Sequence, residues 1–121
     1  MITTHKDLDV WKKSIEFVTI IYKSTASFPP SEIYGLTSQI RRAAVSVPSN
    51  IAEGACRKSK LEFAQFLYIA LASGAEVETQ LIIANNLNYL GTDKFDSLSQ
   101  QLNTISKMIR GLIKTISQKG V

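Results

Sequence analysis

Residues 34–54 read YGLTSQIRRAAVSVPSNIAEG, and the spacing of the apolar side chains in this segment decides the fold. Apolar positions that are three or four residues apart lie on one face of an α-helix. Here they form a single stripe, which consists of Ile33, Leu36, Ile40, Ala43, Val47 and Ile51. The stripe predicts an amphipathic helix over residues 31–52. Two adjacent arginines and a proline inside the helix are unusual in a segment that only packs.

The same spacing recurs in three other segments and predicts helices at about residues 7–26, 60–90 and 93–118. The stripe of the first helix consists of Leu8, Trp11, Ile15, Val18, Tyr22 and Thr25, and it is widened by Val10, Phe17, Ile20 and Ile21. The stripe of the third helix consists of Phe63, Leu67, Ala70, Gly74, Val77, Leu81 and Ala84. The stripe of the fourth helix consists of Phe95, Leu98, Leu102, Ile105, Ile109, Leu112 and Ile116. Ser59 and Glu62 have the spacing of an N-terminal capping box, and Gly91 suits the left-handed position after a helix.

The fold predicted from these stripes is an all-α, antiparallel, up-down-up-down four-helix bundle. The connections are short, so consecutive helices run in opposite directions. The fourth stripe alternates steps of three and four residues, which favours left-handed packing. Helices one and three carry more apolar residues than one buried face requires, so the pattern leaves two readings open: an oligomer interface, or a helix that is well covered within the bundle.

Composition and charge narrow the function classes. The 121 residues suit one domain, and the single cysteine, Cys56, can form no intramolecular disulfide. We expect a cytoplasmic protein with no membrane span. The net charge is +4, with a local excess of basic residues in 41–60 and after residue 93. This bias permits contact with nucleic acid without establishing it.

Pro48 and Asn50 lie where a simple packing helix would place neither. Pro48 removes the hydrogen bond to the Ala44 carbonyl, so the helix kinks or another group satisfies that carbonyl. Asn50 lies near the apolar face, where a buried amide must be hydrogen-bonded. It either sets the register of the helices or, with Glu53, points toward a site.

Arg41 and Arg42 point about 100° apart on a helix, so they cannot share one role. We predict that one arginine pairs with a carboxylate on a neighbouring helix, for which Glu76 and Glu78 are the candidates. The other faces solvent or a partner, where it is available to bind phosphate.

Basic residues also surround the predicted start of helix three. Arg57, Lys58 and Lys60 lie beside free helix N–H groups, which together can attract an anion. The alternative is a solvated polar loop. Arg57, Lys58 and Lys60 are therefore the first candidates for phosphate contact, and Arg42 and Arg110 are further candidates.

Enzyme signatures are missing from the sequence. His5 is the only histidine, so no histidine-based triad or Glu-x-x-His metal pair can form. The glycines match no phosphate-binding or dinucleotide-binding motif. We predict no enzymatic activity, no cofactor and no metal.

Several motifs occur in an order that resembles one protein family. They are DLxVW at 7–11, FP at 28–29, YGL at 34–36, QxRRAAxS at 39–46, NIAEG at 50–54, RxSxxEF at 57–63 and ASGAEVETQL at 72–81. On these motifs the chain resembles the bacterial four-helix bundle proteins, also called 23S rRNA intervening sequence proteins. The resemblance covers nearly the whole chain.

The resemblance implies a bundle that assembles into a ring-like homopentamer. Some members of the family are encoded within intervening sequences of 23S rRNA genes, which led to a historical ribosomal-protein label. Similar bundles accompany the reverse transcriptases of retroelements and bind both nucleic acid and the transcriptase. The leading hypothesis is therefore an RNA-binding or DNA-binding homo-oligomeric accessory protein, with a reverse transcriptase as one conceivable protein partner. The alternative is a protein-interaction scaffold with no nucleic-acid role.

Overall fold

The computed structural model describes the backbone of residues 4–119 and the side chains of residues 4–117. Four α-helices dominate it: α1 (Asp9–Thr25), α2 (Leu36–Ala55), α3 (Lys60–Asn86) and α4 (Thr92–Lys119). Short 3-10 turns at His5–Asp7 and Pro30–Glu32 precede α1 and α2. The predicted all-α four-helix bundle is confirmed.

Neighbouring helices run antiparallel, as contacts near their ends show. Arg41 at the start of α2 reaches Thr25 at the end of α1. Gly54 at the end of α2 lies against Phe63 and Phe66 at the start of α3. α1 and α3 lie diagonally opposite, because each packs on α2 and α4 rather than on the other.

The core face of α1 contains only part of the predicted stripe and is displaced toward the residues that widen it. Ile15 and Tyr22 are 40% and 43% exposed, whereas Val10, Phe17 and Ile21 are buried. The buried face also contains Thr25, which was predicted, and Ser14, which was not. Both hydroxyls donate to carbonyls of their own helix, Ser14 to Trp11 and Thr25 to Ile21, at 2.8 Å each. A hydroxyl that is satisfied in this way can be buried at little cost.

The stripes predicted for α3 and α4 point into the core. Leu67, Ala70, Val77, Leu81 and Ala84 of α3 are almost completely buried. On α4 the buried positions are Leu98, Leu102, Ile105, Ile109, Ile113 and Ile116. Ile113 was not predicted, and the predicted Phe95 and Leu112 are only partly buried. The α2 stripe is also buried from Leu36 onward, whereas Ile33 is 49% exposed because it precedes the helix.

α2 begins five residues later than predicted, at Leu36 rather than at residue 31. Pro30 starts a 3-10 turn, and the Glu32 carboxylate then accepts a hydrogen bond from the Leu36 backbone N–H at 3.1 Å. This side chain satisfies a backbone donor that has no partner within the helix. The turn therefore belongs to the cap of α2 and not to the helix.

α3 ends at Asn86, four residues before the predicted end. Asn88, and not Gly91, occupies the left-handed conformation, with φ of 62°. The Tyr89 N–H bonds the Ala84 carbonyl at 2.9 Å and the Asn88 N–H bonds the Asn85 carbonyl at 3.0 Å, as in a Schellman motif. The prediction overlooked that asparagine also visits this conformation. The predicted N-terminal cap is confirmed, because Ser59 accepts from the Glu62 N–H at 3.1 Å.

Glu32 links the two loops at this end of the bundle. Its second carboxylate oxygen accepts a 2.9 Å hydrogen bond from the Tyr89 hydroxyl. That hydrogen bond is the main reason why the pKa of Tyr89 is raised above its ordinary value of 10.0, and burial and the negative charge of Glu32 add to it. The folded protein therefore holds this proton more tightly than the unfolded chain does.

We expect the Glu32–Tyr89 contact to stabilise the fold below the ordinary pKa of tyrosine and to be lost as pH rises through the raised value. Replacing Glu32 with Gln should lower the pKa of Tyr89, because a neutral amide favours the protonated phenol less than a carboxylate does. Ultraviolet titration of phenolate measures the change, and Tyr89→Phe identifies the curve that belongs to Tyr89. Identical curves for Glu32→Gln and the unchanged protein would contradict this account.

Candidate functional site

The close approach of α2 and α3 positions the polar side chains of the motif-bearing segment. Ala43, Ala44 and Gly54 are buried on the core side of α2. A Cβ atom on Gly54 would lie 2.7 Å from the Phe66 Cβ, a distance that real side chains do not adopt. Small residues here let the two backbones approach each other closely, so side chains on the rim of the interface can meet.

A chain of hydroxyl and amide groups crosses from α2 to α3 at this interface. The Ser46 and Ser73 hydroxyl oxygens are 2.8 Å apart. The Asn50 side-chain amide donates to the Ser46 hydroxyl at 2.9 Å and to the Ser46 carbonyl at 2.8 Å. Asn50 thus holds Ser46 in place, and Ser46 in turn makes the hydrogen bond to α3. Both serines lie within the family motifs, but neither was predicted as a site residue, because their contact depends on how α2 and α3 pack.

Arg41 contacts α1 and not the acidic residues of α3. Its Nε donates to the Thr25 hydroxyl at 2.9 Å and its terminal nitrogen donates to the Tyr22 carbonyl at 3.2 Å. The guanidinium also lies 4.7 Å from the centre of the Tyr22 ring. The predicted pairing with Glu76 or Glu78 is therefore wrong for Arg41. A cation at the last carbonyls of α1 adds a donor to the Tyr22 carbonyl, which among the described residues otherwise accepts only from the Thr25 hydroxyl at 3.3 Å, and it offsets the helix dipole.

Arg42 is exposed and faces a polar groove between α2 and α3. Glu76 lines the same groove of about 340 Å³. Among residues 4–117, no ion pair within 4.0 Å joins these two side chains. Glu78 is exposed two positions further along α3 and does not line the groove.

The loop between α2 and α3 carries the basic residues predicted there. Arg57 pairs with Glu53 at 3.3 Å, and its guanidinium lies 4.8 Å from the centre of the Phe66 ring. Lys58 and Lys60 are exposed. Glu53 is thus a partner of Arg57 on the surface, and Pro48 does not aim it into a pocket.

The charge of the bundle is concentrated at one end. We divide the described part of the chain at the helix midpoints and call the half that contains the α2–α3 loop the basic end. It contains nine basic and five acidic side chains, namely Lys6, Lys12, Lys13, Arg57, Lys58, Lys60, Lys107, Arg110 and Lys114 against Asp7, Asp9, Glu16, Glu53 and Glu62. The other half contains four basic and five acidic side chains, so the positive excess lies at the basic end.

Large apolar side chains remain exposed mainly on two helices. On α3 and at its C-cap they are Leu61, Tyr68, Ile69, Ile82, Ile83 and Leu87, and on α1 they are Ile15 and Tyr22. By length and composition alone, the helix Lys60–Asn86 could cross a membrane, although no membrane span was predicted from the sequence. This is weak evidence, because the core helix of a soluble protein meets the same criteria. The surplus apolar surface inferred from the sequence is therefore real.

Acidic, histidine and cysteine side chains do not converge on a metal site in the described part of the chain: no group of three or more could hold an ion. The prominent features are instead the basic end, the exposed apolar faces and the groove between α2 and α3. These features describe an all-α bundle protein whose charged and polar side chains lie on its surface and in grooves between its helices.

The chain belongs to the family of 23S rRNA-intervening sequence proteins, whose family model matches residues 6–111. It is similar to the crystal structure of a protein of unknown function from the S23 ribosomal protein family of Bacteroides thetaiotaomicron, with 28% sequence identity and a TM-score of 0.78. The similarity covers 87% of this chain and 98% of that chain. No match was found among curated proteins.

Proposed function

We propose that this chain is a non-enzymatic, homo-oligomeric accessory protein that binds RNA or DNA through its basic end. The observation that carries the proposal is the segregation of charge: nine basic side chains lie in one half of the bundle against five acidic ones. Phosphate backbones bind clustered lysine and arginine side chains without regard to base sequence. Binding of this kind tolerates any sequence and weakens steeply with salt.

Lys58 and Lys60 lead the proposed contact surface, because both are exposed beside the start of α3. Arg57 contributes less to binding, since its guanidinium already contacts Glu53 and Phe66. Arg110 is exposed on α4 in the same half of the bundle. Arg42, the remaining candidate from the sequence, lies in the other half and is not part of this surface.

Exposed apolar surface supports self-association of the chain, and it also supports the rival proposal, a protein-interaction scaffold. The exposed apolar side chains of α1 and α3 favour contact with protein, and Tyr68 and Leu61 are 60% and 71% exposed. A ring of five copies, as the family resemblance implies, would carry about +20 in total from +4 per chain. Weak phosphate contacts repeated around such a ring would act together.

The test is binding of a labelled single-stranded RNA and a labelled duplex DNA by protein that has first been sized by light scattering. We expect a particle larger than one chain, and an affinity that falls at least about tenfold between 50 and 200 mM salt. Lys58→Ala combined with Lys60→Ala should weaken binding at low salt by a similar factor. The sequence of the probe should matter little.

The matched control is Lys23→Ala combined with Lys94→Ala, which removes the same charge from the other half of the bundle. We expect this variant to bind almost as well as the unchanged protein. Equal losses in the two double variants would show that net charge matters and the basic end does not. A large particle that binds neither probe at low salt would refute the nucleic-acid role and favour the scaffold.

A further inference from the structure

The groove between α2 and α3 has polar walls that carry charges of opposite sign. Its volume is about 340 Å³. It is lined by Gln39, Arg42, Ala43 and Ser46 from α2 and by Ser73, Glu76 and Gln80 from α3. Nucleic-acid binding at the basic end makes no use of these residues.

The two walls differ in hydrogen-bonding character. The α2 wall presents Arg42, which only donates, and the Gln39 amide three positions earlier. The α3 wall presents the Glu76 carboxylate, which only accepts, and the Gln80 amide four positions later. Residues at these spacings are neighbours on a helix surface, so each pair can act on one group. The groove is therefore cationic on one side and anionic on the other.

Groups that line the groove lack partners within the protein. The Gln80 side-chain oxygen is buried and accepts no hydrogen bond in the described part of the chain. Such an acceptor costs about 1–3 kcal/mol unless something donates to it. Arg42 and Glu76 line one groove without pairing with each other. Both charges are exposed, so a ligand between the walls would pair with each of them, and a turn of the Gln80 side chain would let its oxygen accept from the same ligand.

The floor of the groove adds a donor. Ser46 and Ser73 lie 2.8 Å apart and share one hydroxyl hydrogen in their mutual bond. The Asn50 amide nitrogen donates to both the hydroxyl and the carbonyl of Ser46, which holds that serine in place. The second hydroxyl hydrogen of the pair has no acceptor among residues 4–117. It is available to a polar atom that reaches the floor.

From this arrangement we propose that the groove binds a small zwitterion of the amino-acid class. The carboxylate of the ligand lies against Arg42 and Gln39, because a guanidinium fork matches a carboxylate. Its ammonium group lies against Glu76, and the Gln80 side chain, whose oxygen is closed to solvent in the free protein, turns toward the groove to accept from it. No aromatic ring lines the groove, so a nucleobase would find no stacking surface there. A polar zwitterion needs none.

The test is calorimetric titration of the purified protein with each of the twenty common L-amino acids. At least one should bind, and binding should be lost with the matching amine, which lacks the carboxylate, and with the N-acetyl derivative, which lacks the ammonium charge. Arg42→Gln and Glu76→Gln should each weaken binding at least about tenfold, because each removes a charge-assisted contact.

Matched controls separate the groove from general charge effects. Arg110→Gln and Glu78→Gln remove one exposed charge of each sign outside the groove and should leave the affinity unchanged. The proposal is overturned if none of the twenty amino acids binds, if the amine binds equally well, or if binding survives both groove variants. The nucleic-acid titrations use different residues, so either proposal can fail while the other stands.

Discussion

Gly54→Ala is expected to lower the free energy of unfolding by about 1–2 kcal/mol, although alanine is the better helix former. A new Cβ would lie 2.7 Å from the Phe66 Cβ and 3.0 Å from the Phe63 ring. The nearest obstacle is fixed to the α3 backbone, so the two helices must separate. Overpacking of this kind costs about 1–3 kcal/mol, which exceeds the gain of up to about 1 kcal/mol in helix propensity. Denaturant unfolding measures the difference.

Two other helical glycines provide controls of the opposite sign. A Cβ on Gly74 would meet Leu102 and Ser106 at ordinary contact distances of 3.6 and 3.7 Å. A Cβ on Gly111 would meet nothing within 4 Å. Gly74→Ala and Gly111→Ala should therefore raise stability by up to about 1 kcal/mol each. If Gly54→Ala proved as stable as these two variants, the close approach of α2 and α3 described above would be incorrect.

Arg41→Ala is expected to lower the free energy of unfolding by about 2–3 kcal/mol. The change removes two hydrogen bonds from a charged donor, to the Thr25 hydroxyl at 2.9 Å and to the Tyr22 carbonyl at 3.2 Å. Hydrogen bonds of this type contribute about 1.5–3 kcal/mol each, and some of that is recovered when water enters. The loss also removes the positive charge at the C-terminal end of α1. Unfolding in denaturant provides the measurement.

The neighbouring arginine supplies the control for this prediction. Arg42 is exposed and makes no ion pair within the described residues, so Arg42→Ala should change stability by no more than about 0.5 kcal/mol. Arg41→Lys should recover only part of the loss, because lysine cannot reproduce the planar fork. Similar stability losses for Arg41→Ala and Arg42→Ala would contradict the division of roles between the two arginines.

The limits of helix prediction are clearest in α1. The centre of the predicted stripe, at Ile15 and Tyr22, is partly exposed in the structure. The buried face includes Ser14, a polar residue that apolar spacing does not reveal and whose hydroxyl donates within its own helix. Periodicity identified the helix correctly, but it could not identify the buried face, since that depends on which side α2 and α4 cover.

The residues of the candidate site were likewise only partly predictable from the sequence. Arg57, Lys58, Lys60 and Arg110 could be named from charge alone, and they share one end of the bundle because antiparallel helices return to it. The pairing of Arg41 was wrong because the sequence cannot show that the α1 C-terminus lies nearer to it than Glu76 does. Ser46 and Ser73 were missed, since two serines 27 positions apart carry no signal until α2 and α3 pack together.

By itself, the sequence determined the all-α class, the number of helices, the core faces of α3 and α4 and the cap at Ser59, because these depend on local spacing and on bonds within one turn. It also determined the family through motifs along most of the chain. Only the tertiary structure decided the buried face of α1, the cap that Arg41 places on α1 and the groove between Arg42 and Glu76. Each of these depends on groups from two helices that meet only when the bundle packs. For the groove, the close approach of α2 and α3 is helped by the small residue Gly54.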